Sequence, residues 1–277
     1  MKKFLFILVI FALVALVACA DSESTAIPYE DLVPASTPYE DLKSPETPYV
    51  NTDMYIYEPS FNPGGRFCTE HLAEGEVLVV ESSGSEAIFD SIDNLLGFIA
   101  MSGDLRTEII RGEILDERTA WLNVAAVWRH EGALPYPDPS LPDEYRPVTI
   151  HRVRVLEVFQ GEFEAGDIIE VRQPGGQIGN VRLEDSSFVP LASGDDLVLI
   201  LASLVWMPPS PAGIVSSRQA VYRFPDLGDG MRAFSADESL ECVVQSSAAL
   251  TLTFGDLMEF QIQNFGQVSE SFAAMVR

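Results

Sequence analysis

From residue 105 to residue 224 the chain is a succession of short strand-like segments separated by turn residues, and this constrains the fold more than any other feature. Residues 105–117 read as one strand, with Gly112 inside it signalling a bend or bulge. In residues 149–159 the apolar phase slips between Val153/Val155 and Leu156/Val158, as a β-bulge requires. Residues 167–172 and 181–183 follow as shorter strands, and residues 220–224 add another. Residues 197–202 are apolar throughout, which suits a strand buried on both faces. Outside this block, residues 77–80 read as a short strand and residues 91–101 as a helix. Ser91 can cap that helix, and Ile92, Leu95, Leu96 and Ile99 share one face of it. Thr253-Phe-Gly-Asp256 marks a second helix start, continued by residues 257–265. The pattern predicts a mainly β fold, a closed or half-closed barrel with two flanking helices.

Upstream of residue 60 the composition changes. Pro28-Tyr-Glu-Asp-Leu32 returns as Pro38-Tyr-Glu-Asp-Leu42, and a decaying third copy begins Pro48-Tyr-Val50. Such an acidic, proline-rich stretch buries too little apolar surface to offset its ordering entropy. Residues 19–59 are therefore expected to form a disordered tether, and residues 60–277 the globular domain. Evenly spaced Pro-Tyr-Glu-Asp-Leu units also suit short docking motifs.

At the N-terminus, Lys2 and Lys3 precede an unbroken apolar run, residues 4–18, and then Cys19. The run is short for a membrane span, which needs about 20 residues, but it suits a signal-peptide core. Leu16-Val-Ala-Cys19 resembles the lipobox of bacterial lipoproteins. The resemblance implies a signal peptide over residues 1–18, cleavage before Cys19, and acyl chains including palmitate on Cys19. It places the chain at the cell membrane or envelope, lipid-anchored and extracytoplasmic. Ala18-Cys-Ala20 also fits an ordinary A-x-A cleavage site, and an uncleaved apolar anchor is the other alternative.

Loss of Lys2 and Lys3 would take the formal charge from −25 to −27, with Lys43 the one lysine left. That balance argues against a nucleic-acid partner, because no basic surplus exists to displace phosphate counterions. It mainly signals solubility, with calcium or a cationic partner as the sharper alternative.

Within the globular region a further resemblance rests on motifs in a fixed order. These are Ile109-Ile-Arg-Gly-Glu-Ile114, Val155-Leu-Glu-Val-Phe-Gln-Gly161, Gly166-Asp-Ile-Ile-Glu-Val171, Pro174-Gly-Gly176 and Gly194-Asp-Asp-Leu-Val-Leu-Ile-Leu201. Together they resemble uncharacterised bacterial lipoproteins carrying an OB-like barrel, similar to the netrin module and tissue inhibitors of metalloproteinases. The match covers residues 105–205, which it implies to be the barrel core. It does not carry over inhibition, because those inhibitors chelate zinc with an N-terminal cysteine held against the barrel. Here Cys19 lies beyond a long tether, and the family's disulfide framework is missing.

Catalytic signatures are few. No G-x-S-x-G, Walker loop, H-E-x-x-H or C-x-x-C is present. Cys68-Thr-Glu-His71 has a two-residue gap seen in some zinc sites, but no second pair follows, and His130 and His151 lie far along the chain. No metal and no cofactor is expected. Asp226-Leu-Gly-Asp-Gly230 has the composition of a calcium loop but the register of an ordinary turn. Glu184-Asp185 and Asp195-Asp196 could supply paired carboxylates for glycoside hydrolysis, but in a chain with 42 Asp and Glu adjacent pairs are expected without function. Trp121, Trp128, Tyr136 and Tyr145 cluster in or beside the proline-rich connection 129–147. They are candidate ligand contacts if that connection caps the barrel mouth, while Trp121 and Trp128 equally suit the core. With Cys19 acylated, Cys68 and Cys242 remain as an even pair in an exported chain and are expected to form a disulfide. The resulting expectation is a membrane-anchored lipoprotein whose barrel binds a protein or glycan partner. A cell-wall hydrolase using surface carboxylates and a purely structural envelope protein are the alternatives.

Overall fold

Two long antiparallel strands, β3 (Leu105–Asn123) and β4 (Tyr145–Gln160), carry the architecture. The computed structural model describes residues 56–57, 67, 69–82, 88–101, 105–123, 145–185, 189–204, 211–227 and 232–276. The expected signal peptide, Cys19, most of the tether, Cys68, His130, Trp128 and Tyr136 lie outside these residues. The fold is mainly β. Strands β1 (Ile56–Tyr57), β2 (Leu78–Ser82), β5 (Ile168–Pro174), β6 (Gly176–Ile178), β7 (Val181–Asp185) and β8 (Asp196–Leu204) accompany the long pair. The remaining strands are β9 (Ala212–Ile214), β10 (Val221–Arg223), β11 (Ser239–Cys242) and β12 (Leu252–Thr253).

Nine strands form one sheet in the order β1-β3-β4-β5-β9-β8-β10-β11-β12. An additional β3–β8 pairing closes β3, β4, β5, β9 and β8 into a ring. Closure depends on the three residues of β9, parallel to β5 and antiparallel to β8. The expected core, 105–205, therefore omits an essential member. Three residues have too little periodicity to be read as a strand in isolation.

Bulges sit where the apolar phase slips. Arg111 pairs with Glu157 and Gly112 with Val155, which leaves Leu156 as the extra residue on β4. At Gly112 a Cβ would stand 2.5 Å from Val153 Cγ1, so glycine permits the close approach of the two strands.

Strand β8 is apolar because it serves two cores. Leu197, Leu199 and Leu201 pack inside the ring with Ile110, Val155 and Val171. Val198 and Ile200 face outward into a second core shared with the helices and β10–β12. There are three helices among the described residues, one more than expected: α1 (Ile92–Met101), α2 (Phe254–Phe265) and α3 (Glu270–Met275). Ser91 Oγ accepts from Asn94 N at 3.1 Å to start α1. Thr253 and Asp256 form a reciprocal capping box on α2. No helix among the described residues is long and apolar enough to cross a membrane.

The helices seal one end of the β3–β4 pair. Phe159 meets Phe272 edge-on at 4.9 Å, and Phe254 stacks on Phe234 at 4.6 Å. Beneath α2 and α3 the buried Glu157 carboxylate accepts from Gln261 Nε2 (2.8 Å), Ser269 Oγ (2.5 Å) and Ser271 Oγ (2.9 Å). Arg111 forms a bidentate pair with Asp196, 2.9 and 2.6 Å, and lays its guanidinium over Phe224 at 3.7 Å. At the other end, a three-stranded sheet in the order β2-β7-β6 covers Thr119, Thr149 and Trp121.

Candidate functional site

Strand β5 loses its second neighbour, β9, at its C-terminal end, and a pocket forms there. Along its length β5 pairs with β4, but β9 accompanies it only at Val171↔Ala212 and Arg172↔Gly213. Ile214 then turns toward Leu201 of β8. A pocket of about 240 Å³ occupies the divergence. Three successive residues of β5, Arg172, Gln173 and Pro174, line it, so it spans the end of the strand rather than one face. Leu122, Val148, Leu183 and Ile214 supply aliphatic wall, and Arg146 and Asp185 add charge.

Gln173 links the pocket to a buried histidine. It is 1% exposed, and its Oε1 lies 2.8 Å from Nε2 of His151, which is wholly buried. Burial holds the His151 imidazole below its usual pKa, against the opposing pull of Gln173 and Glu117. The neutral ring with Nε2–H donating to Gln173 leaves Nδ1 facing Glu117 Oε2 at 3.6 Å, too long for a hydrogen bond. Gln173 Nε2 itself has no hydrogen-bond partner.

The aromatic candidates divide. Trp121 is buried at 3% exposure and belongs to a small core with Ile178, Val181, Tyr145 and Phe67. Its ring centroid is 5.3 Å from that of Phe67. Trp121 and Tyr145 are thus brought together, but as packing beneath the three-stranded sheet rather than as the pocket's lining.

The carboxylate pairs are used locally. Asp195 Oδ2 accepts from Ala192 N at 2.8 Å and shapes the turn before β8, while Asp196 holds Arg111. Asp185 lines the pocket, and Glu184 pairs with Arg182 at 3.1 Å. Among the described residues one carboxyl group is shifted into the neutral range. Glu108 is 1% exposed and its Oε2 accepts from Glu162 N at 2.8 Å. Burial pushes it from 4.5 up to about 7, and the neighbouring Glu162 charge adds to the rise. A Cβ on Gly161, at φ 117°, would fall 1.3 Å from Glu108 Oε2, so the turn closes tightly over this group.

His71 is exposed, and no group of three or more His, Cys, Asp or Glu side chains among the described residues is placed to hold a metal. Cys242 carries a free, buried thiol whose Sγ lies 3.2 Å from the Arg218 carbonyl oxygen. Its expected partner, Cys68, falls outside the described residues.

Arg146, Arg172 and Gln173 were not among the expected site residues. The local sign was present in Arg172-Gln-Pro174, a strand that must end where proline removes a donor. Comparison with protein-family models, curated proteins and solved structures finds no match to this chain.

Proposed function

We propose that this chain is a membrane-anchored, extracytoplasmic lipoprotein whose strand ring is an OB-like barrel that binds a protein or glycan partner. The pocket at the end of β5 carries the binding reading. It combines aliphatic walls, two arginines and an unpartnered amide at one strand terminus. The five-strand closure β3-β4-β5-β9-β8 supports the OB-like assignment. Anchoring rests on the placement of Cys19 directly after a short apolar run. A hydrolase requires an acid that reaches its substrate. Glu108, the carboxyl with a raised pKa among the described residues, is buried beneath the Gly161 turn.

Two measurements test this. Cys19→Ser should abolish detergent partitioning, and intact mass should show acyl chains on the wild type. An unmodified mature chain beginning at Asp21 would remove the anchor from the proposal. Crosslinking of the full chain in native membranes should capture a discrete partner that excess soluble protein displaces. Absence of any displaceable adduct would remove the binding role.

A further inference from the structure

We infer that residues 161–163, the first half of the β4–β5 turn, form a pH-released lid on one mouth of the strand ring, latched shut while the Glu108 carboxyl carries its proton. The lid is independent of the pocket and of the binding reading above.

The pleat places the latch inside the ring. Glu108 pairs with Leu201 across the β3–β8 ladder, and directly paired residues share a face, here the face of the ring core. Arg106 pairs with Ser203 two residues nearer the strand ends, so Glu108 and Ser203 stand under the same mouth. Glu108 Oε1 and Ser203 Oγ are both buried without a hydrogen-bond partner. A carboxylate at that depth, beside a core of leucine, isoleucine and valine, has lost its water without a full set of replacements.

The lid lies directly on that carboxyl. Glu162 N–H donates to Glu108 Oε2 at 2.8 Å, and the Gly161 backbone passes over the same oxygen. Phe163, half-buried, packs against the ring core below. The second half of the turn is fastened separately. Asp167 accepts from Glu164 N at 2.9 Å, and Gly166 N–H donates to the Val155 carbonyl at 2.8 Å. Residues 161–163 are therefore held by Glu108 and by Phe163, and Gly161, at φ 117°, is the hinge on which they lift.

The surrounding charges set the direction of release. Among the described residues, Arg106 on the same strand and Glu162 in the lid face Glu108, and they pair with each other at 3.5 Å. β8 presents Leu201 and Ser203 there, and the Asp167 carboxylate is turned to Glu164 N. Helix α1 packs on the opposite, Ile109 face of β3 with its acid, Asp93, exposed. Burial is the largest influence on Glu108 and disfavours its ionised form, and the Glu162 charge adds to this. Arg106 and the Glu162 and Phe163 N–H groups act the other way and are outweighed. Lifting the lid returns water to the carboxylate, so loss of the proton shifts the turn toward the open form. With Glu108 titrating at about 7 under the lid and at its ordinary 4.5 in the open form, the open population rises about tenfold between pH 6 and pH 8.

The test is hydrogen exchange of the full chain in detergent at pH 6 and pH 8, with labelling times scaled to the hydroxide concentration. Protection of residues 161–163 should fall about tenfold at the higher pH, while residues 169–172 of β5 keep theirs. Glu108→Gln, which cannot ionise, should hold residues 161–163 protected at both pH values. Glu162→Gln, a change at an exposed position, removes the repulsion and should shrink the wild-type fall to about fourfold. The inference is overturned if wild-type protection of residues 161–163 is the same at both pH values. It is equally overturned if residues 169–172 lose protection in parallel, which is global loosening, or if Glu108→Gln shows the wild-type fall. Should Glu108→Gln not fold, an undiminished tenfold fall in Glu162→Gln overturns it.

Discussion

The two ends of the β3–β4 pair are built from similar residue types and treat their polar groups in opposite ways. Near Arg111 and Glu157, helices α2 and α3 close over the sheet, and both charged groups find several partners. Near Trp121 and His151, the cover is a small three-stranded sheet, and Trp121 Nε1, His151 Nδ1 and Gln173 Nε2 are buried without hydrogen-bond partners. A buried polar group that is satisfied holds a fold in register, whereas one left unsatisfied is a standing cost that a ligand can relieve. Glu108 and Ser203 break the pattern at the sealed end: Glu108 Oε1 and Ser203 Oγ have no partner, and the Glu108 carboxyl resists ionisation.

The comparison can be broken most forcefully at the seal. Phe272 is wholly buried against Phe159 and Phe254, so Phe272→Ala should cost about 4 kcal/mol in urea unfolding. A loss below about 1 kcal/mol would mean that α3 does not close this end.

Glu157→Ala should cost about 2 kcal/mol, because Gln261, Ser269 and Ser271 all lose an acceptor at once. Chemical denaturation measures it, and hydrogen exchange should show α3 opening first.

Glu108 gives the pH arm. Its folded pKa, about 7, lies above its ordinary 4.5, so the folded chain holds the proton more tightly than the unfolded one. The stability it contributes is complete below about pH 4.5 and is lost as pH rises through about 7. Glu108→Gln, which mimics the protonated acid, should be more stable than wild type at pH 8 by about 2 kcal/mol, with the gap closing by pH 4. An unchanged gap across that range would show that Glu108 does not titrate in the folded chain.

The smallest effect concerns Cys242. Burial raises its thiol pKa, so iodoacetamide should modify it slowly in the native protein and quantitatively after unfolding without reductant. Protection that persists after unfolding until reductant is added would show the expected bridge to Cys68. Cys242→Ala should cost about 1 kcal/mol as a small cavity.

Local interactions were legible in the residues. Thr253 and Asp256 cap a helix because hydroxyl and carboxylate sit three residues apart, within reach of each other's backbone N–H. Leu156 bulges because the alternation of apolar residues changes phase there, and a strand has only two faces on which to record it. The run 197–202 declares burial on both sides for the same reason. The ring and the pocket were not legible, since each depends on residues distant in the chain. β9 becomes a strand only because β5 and β8 present edges on either side of it. Trp121 and Tyr145 carried the stronger local signal for a ligand, yet packing placed them in a core. Arg111 and Arg172 are the same residue type on β3 and β5, two strands apart in one sheet. Asp196 and Phe224 engage the first, while the second lines the pocket that opens just beyond its pairing with Gly213, and no local pattern encodes that difference. The sequence by itself determined caps, bulges and the alternation of faces, because those interactions act within a few residues. Only the tertiary structure decided which polar groups are enclosed and which stand at an open edge, because enclosure depends on strands brought together from across the chain.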